Sequence, residues 1–146
     1  MRKLLFVPLF LTMIAAGCSN ALQTIAEGLN DAAFTIGEVQ TIIIAAWEND
    51  VITKAESDQY IENITVPLIS VIGHANTAVA LLAVRDEVDR DEIMEILPPV
   101  IAALNLALSD EKIGIIENPA TQAAVKLGIQ GVLTAMMTLQ VLTEEE

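Results

Sequence analysis

The side chains that could do chemistry are few. The chain of 146 residues has one cysteine, Cys18, and one histidine, His74. A thiol can act as nucleophile, metal ligand or acyl acceptor. His74 lies in an uncharged segment near Asn76, with no second histidine to share a metal and no neighbouring thiol to activate, so it reads as a hydrogen-bonded helix histidine. The densest charge lies at Arg85, Asp86, Glu87, Asp89, Arg90, Asp91, Glu92 and Glu95. A calcium loop of the EF-hand type would need a glycine at its sixth position, and no glycine occurs between Gly73 and Gly114. The cluster therefore reads as a polar turn and the acidic first turn of a helix, where carboxylates favour the positive end of the dipole. Phosphate-binding glycine loops, nucleophile elbows and zinc-ligand spacings are absent from the sequence, and paired carboxylates occur only in charged turns. Met94, Met136 and Met137 suit core filling better than a ligand set. The expectation is a non-catalytic protein with no cofactor and no metal, whose one chemically distinctive residue is Cys18.

The residues before Cys18 say what that thiol is for. Arg2 and Lys3 form a basic start, and Leu4 to Ala16 is an uncharged apolar run. As a helix that run reaches about 20 Å, short of a hydrocarbon core roughly 30 Å thick, and Pro8 interrupts it. Ala15, Ala16 and Gly17 then place three small residues in front of the cysteine, which suits the narrow groove of a peptidase. The arrangement resembles the lipobox of bacterial prolipoproteins. The resemblance implies that the Cys18 thiol accepts a diacylglyceryl group, that a signal peptidase reading Ala15, Ala16 and Gly17 cuts before Cys18, and that the new amine is acylated with a palmitate-type chain. The position three before the cysteine is most often leucine in that family and is Ala15 here, with Ile14 one further back. Each buried methylene contributes about 0.8 kcal/mol and one chain binds only marginally, so two or three make a stable anchor. Ser19, where an aspartate would favour inner-membrane retention, implies passage to the outer membrane, facing the periplasm, in a Gram-negative host.

The expected organisation is thus a signal at residues 1–17 and one helical-bundle domain at residues 18–146. Loss of Arg2 and Lys3 moves the formal charge from −13 to −15. So acidic a surface repels phosphate backbones, and Phe34, Trp47 and Tyr60 are the only aromatic platforms left, so nucleic acid is excluded as a partner. With Cys18 lipidated no internal disulfide can form, and packing alone must hold the fold.

Hydrophobic spacing supplies that packing. Leu22, Ile25, Leu29, Ala32, Ile36, Val39, Ile43 and Ala46 alternate steps of three and four, predicting a first helix over about 20–47. Gly28 and Gly37 in it are read as points of close helix approach. Thr53 and Glu56 have capping-box spacing and start a second helix over about 54–84, seamed by Ile61, Ile64, Leu68, Val71, Ala75, Ala78 and Leu82, with a bend at Pro67. A third helix over about 90–109 carries Ile93, Leu97, Val100, Ile101, Leu104 and Leu108. Pro98-Pro99 disfavours α geometry at Leu97 and Pro98, predicting a kink or break. Residues 109–117 read as a polar loop. Asn118-Pro119 caps a fourth helix to about Leu142, with Val125, Ile129, Val132, Met136 and Leu139 inward and a second row at Ala120, Ala124, Leu127 and Gly131. Glu144 to Glu146 reads as a frayed acidic tail.

The fold class predicted is all-α, an antiparallel four-helix bundle running up-down-up-down behind a cleaved signal helix. The second and fourth helices are apolar over wide arcs, which calls either for deep burial or for a homo-oligomer that covers the remainder. The favoured function is a lipid-anchored envelope lipoprotein, a binding or structural module whose partners are the membrane, through its anchor, and another envelope protein. Small phage-encoded lipoproteins that block a receptor share this format. A holin-like protein inserting Ile64–Val84 is the first alternative: that stretch is uncharged, although Asn63, Ser70, His74 and Thr77 form a polar stripe along one side. A small-ligand or lipid carrier using the bundle interior is the second.

Overall fold

The computed structural model describes residues 20–145, so Cys18 and the expected signal fall outside the described residues. Within them the protein is all-α: α1 (Asn20–Glu48), α2 (Lys54–Tyr60), a π-helical turn (Ile61–Thr65), α3 (Val66–Ala83), α4 (Arg90–Met94), α5 (Pro98–Ala107), α6 (Asp110–Ile113) and α7 (Pro119–Glu145). Four of these form a helical bundle in which α1 packs on α3 and α7, and α5 packs on the same two from the opposite corner. Helices α1 and α7 run antiparallel, since Gly28 lies against Met136 and Leu139 while Gly128 lies against Val39.

The heptad seam of α1 is buried as its spacing requires, with Leu22, Ile25, Leu29, Ile36 and Ile43 at zero exposure. Its end is a Schellman turn. Val51 N–H donates to Ala46 O at 2.8 Å and Asp50 N–H to Trp47 O at 2.9 Å, with Asp50 in the left-handed region at φ 56°. Thr53 and Glu56 then close the expected capping box, through Thr53 N–H to Glu56 Oε2 at 2.7 Å and Glu56 N–H to Thr53 Oγ1 at 3.1 Å. A second box, Asp89 with Glu92, starts α4.

Several details depart from the sequence reading. The second helix is not simply bent at Pro67. Proline offers no N–H to the carbonyl four residues back, and the turn before it widens, with Val66 N–H reaching Ile61 O. The wide turn brings Ile64 and Thr65 inward together, and the buried seam becomes Tyr60, Ile64, Leu68, Ile72, Ala75, Val79 and Leu82 in place of Ile61, Val71 and Ala78. The predicted third helix is broken into α4 and α5, as the prolines require. Yet Leu97 itself keeps helical angles, φ −81° and ψ −33°, because its fully packed side chain holds it there, and Pro98 and Pro99 open α5 where their missing donors cost nothing. The expected polar loop at 109–117 contains α6, whose Ile113, with Ile116 just beyond, plugs the bundle end.

Asn118 caps α7, its Oδ1 accepting from Thr121 N–H at 3.0 Å. The helix continues to Glu145, three residues past the predicted end, and the expected frayed tail is held where the Arg90 guanidinium donates to Glu144 O. The second apolar row of α7 is not covered: Ala120, Ala124 and Gly131 are exposed and Leu127 is 72% exposed.

Candidate functional site

The expected lipidation and peptidase residues, Cys18, Ala15, Ala16 and Gly17, lie outside the described residues. What the fold contributes is the point of departure: the chain is already helical at Asn20, the first described residue, two residues after Cys18. The same end of the bundle collects the close of α3, the α3–α4 turn, α4 and the close of α7. Arg85 Nη1 bonds Glu92 Oε1 there at 2.7 Å, and this bond, with the Asp89 N–H behind it, holds the Glu92 carboxyl below the usual carboxylate range.

At the far end Glu56 joins two helix starts. Its Oε1 accepts from Glu117 N–H at 3.0 Å while Oε2 serves the α2 cap. The Glu117 and Thr53 backbone donors pull its carboxyl below the ordinary value. Beside it, Lys54 bonds Asp58 at 2.5 Å and lies 5.6 Å from the Trp47 ring centroid. Tyr60 is fully buried nearby, its hydroxyl without a hydrogen-bond partner among the described residues, and burial pushes its pKa up.

A concavity lies away from both of these ends. It is an open groove of about 640 Å³ between the N-terminal half of α1 and the C-terminal half of α7, within the usual size of ligand sites. Its α1 wall carries Thr24, Glu27, Asp31 and Thr35, and its α7 wall Leu127, Ala135, Thr138 and Leu139. Between the walls lie Gly28, Ala32, Gly128 and Gly131, which offer little or no side chain. Gly28 and Gly128 are points of close approach between α1 and α7: a methyl at Gly28 would displace the end of the Leu139 side chain, and one at Gly128 would sit 2.7 Å from Val39 Cγ2. Gly37, read as another point of close approach, instead faces open space, as does Gly131. The wall hydroxyls are engaged within their own helices, Thr24 to Asn20 O at 2.8 Å and Thr35 to Asp31 O at 3.0 Å. Glu27 accepts from Gln23 Nε2 at 3.1 Å, whereas the Asp31 carboxylate has no partner among the described residues.

Other residues singled out by sequence are dispersed. His74 is exposed on the outer face of α3 beside Ser70 and Thr77, without the expected hydrogen bond, because that face points away from every other helix. Met136 fills the core as expected and Met94 is half-buried, but Met137 is 52% exposed. No group of three or more His, Cys, Asp or Glu is placed to hold a metal ion among the described residues. The groove escaped the sequence reading. Its only linear trace is small or short polar residues at helical spacing, Thr24, Gly28 and Ala32 on α1 and Gly128, Gly131 and Ala135 on α7.

Fold and surface together define a class, an acidic helical bundle with an open inter-helix groove. Comparison with family models, with curated proteins and with solved structures finds no match to this chain.

Proposed function

We propose that the protein is a lipid-anchored envelope lipoprotein, its helices arranged up-down-up-down as a non-catalytic bundle that engages another envelope protein. The observation that carries this reading is the junction. A basic start, a short apolar run and Ala-Ala-Gly lead to the lone Cys18, and a long amphipathic helix is already in place two residues later. A cysteine so placed leaves no room for a flexible linker, so fatty chains on it would hold the bundle close to the bilayer. The acidic surface and the groove supply recognition, and no part of the reading needs a cofactor. Intact-mass analysis of the protein recovered from membranes tests it. The expected product lacks residues 1–17 and carries acyl mass on its new terminus, and an unmodified Cys18 thiol overturns the proposal.

A second reading has its own support. Lys54–Ala83 and Pro119–Glu145 are each long and apolar enough to cross a membrane, and only 28% and 22% of their most apolar windows are buried in the bundle. The outer face of α3, with Val66, Ile69 and Leu81, and Val84 just beyond it, has no Asp, Glu, Lys or Arg. Bilayer insertion would cover these faces. Carbonate extraction of Cys18→Ser separates the readings: a tethered bundle leaves the membrane once its anchor is removed, and an inserted one stays in the pellet.

A further inference from the structure

We propose that the α1–α7 groove is the docking surface for a helix of another polypeptide, one with a row of lysine or arginine along one edge and small apolar residues beside it. This deepens the reading of the protein as a binding module and does not depend on lipidation. The argument begins from the asymmetry of the groove. One wall is acidic, with Glu27 and Asp31 four residues apart on one face of α1 and both exposed. The opposite wall, from Leu127 to Leu139, carries no charge, and Leu127 is 72% exposed on its lip. No cation among the described residues serves the acidic wall. Neither ion pair among them involves α1, and α1 contains no lysine or arginine.

Shape narrows the occupant. The groove lets a second backbone come close at Gly131 and beside Ala135, where bulkier residues would fill the space. From Thr24 to Thr35 the groove runs about 17 Å, three turns of helix. Charge then decides among candidates of suitable shape. A second copy of the chain, laid groove to groove, would bring α1 against α1 or α7, and the only cation on those helices is Lys126, which is not part of the groove. Self-docking would leave Glu27 and Asp31 facing more carboxylates or none of the opposite charge. A fatty chain or the hydrocarbon of a bilayer would likewise put nothing positive against them. A helix with basic residues spaced four apart satisfies the acidic wall and the apolar wall at once.

The test uses the full-length protein in a neutral detergent and a synthetic helical peptide of about 15 residues, roughly 22 Å long. The peptide is built of alanine and leucine with lysines four apart along one edge. Its counterpart carries glutamates in place of the lysines. The lysine peptide is expected to bind, and the glutamate peptide is not. Glu27→Gln with Asp31→Asn should weaken binding about tenfold, the worth of two exposed ion pairs. Gly131→Leu should abolish it without loss of thermal stability, because a Cβ there meets nothing within 4 Å and the larger side chain extends into the groove. Asp86→Asn with Glu87→Gln removes the same amount of charge from the distant α3–α4 turn and should leave binding unchanged. Equal weakening by both charge pairs would mean only that an acidic protein attracts a cationic peptide, and would overturn the proposal. So would binding that survives Gly131→Leu, binding of the glutamate peptide, or no binding at all. Intact mass reports the tether separately, so failure here is distinct from failure of the lipoprotein reading.

Discussion

Replacing Tyr60 by phenylalanine should stabilise the protein. The Tyr60 ring is at zero exposure at the junction of α2 and the π turn, and its hydroxyl has no hydrogen-bond partner among the described residues. A hydroxyl taken out of water without compensation costs about 1 to 3 kcal/mol, and phenylalanine keeps the ring while removing only that atom. The cavity left by one oxygen recovers part of the gain as a loss, so a net increase of about 1 to 2 kcal/mol is expected. For a bundle of this size that is roughly 4 to 8 °C in Tm. Urea denaturation of both forms measures it as a rise in midpoint at unchanged slope. Alkali gives an independent check with a definite sign. Burial raises the phenol's pKa in the folded state, so the folded protein retains a proton that the unfolded chain releases above about pH 10. Stability is therefore complete below that pH and falls above it by about 1.4 kcal/mol per pH unit, a slope absent from Tyr60→Phe. A variant that is less stable than the parent, or that keeps the alkaline slope, would show that the hydroxyl is bonded and refute the reasoning.

Asp50→Gly should raise stability by about 1 kcal/mol in thermal denaturation, since Asp50 occupies the left-handed position of the α1 Schellman turn, where a Cβ is a liability. Acid should destabilise the bundle through Glu56 and Glu92. Both carboxyls are held below their ordinary value in the folded state, so their contribution is present above about pH 4.5 and is lost as pH falls through the lowered folded values. Glu56→Gln should flatten the acid limb of a stability–pH profile. Gly28→Val should destabilise by about 1 to 3 kcal/mol in urea, because Leu139 must be displaced from the α1–α7 contact, whereas Gly131→Ala should stabilise by up to about 1 kcal/mol.

The helices were legible in the sequence because their signals are local. The three-and-four spacing of α1, the Thr53–Glu56 box and the Asn118-Pro119 start each involve residues within a turn or two, and each appears where its chemistry puts it. Failures came where a backbone constraint had more than one local solution. Pro67 required a disturbance, and only the packing of Tyr60 and Ile64 selected a π turn over a bend. Pro98-Pro99 required a break, and burial of Leu97 selected its place.

By itself, then, the sequence determined an apolar run leading to one cysteine, the helical class of residues 20–145, and a strongly acidic composition. These rest on composition, period and covalent chemistry, which act along the chain. Only the tertiary structure decided that Ala120, Leu127 and Gly131 stay outside the core, that Gly28 meets Leu139, and that Glu27 and Asp31 form one wall of a groove whose other wall is about a hundred residues away. Helical spacing fixes which residues share a face. What that face meets depends on how helices distant in sequence are oriented and how closely their small residues let them approach.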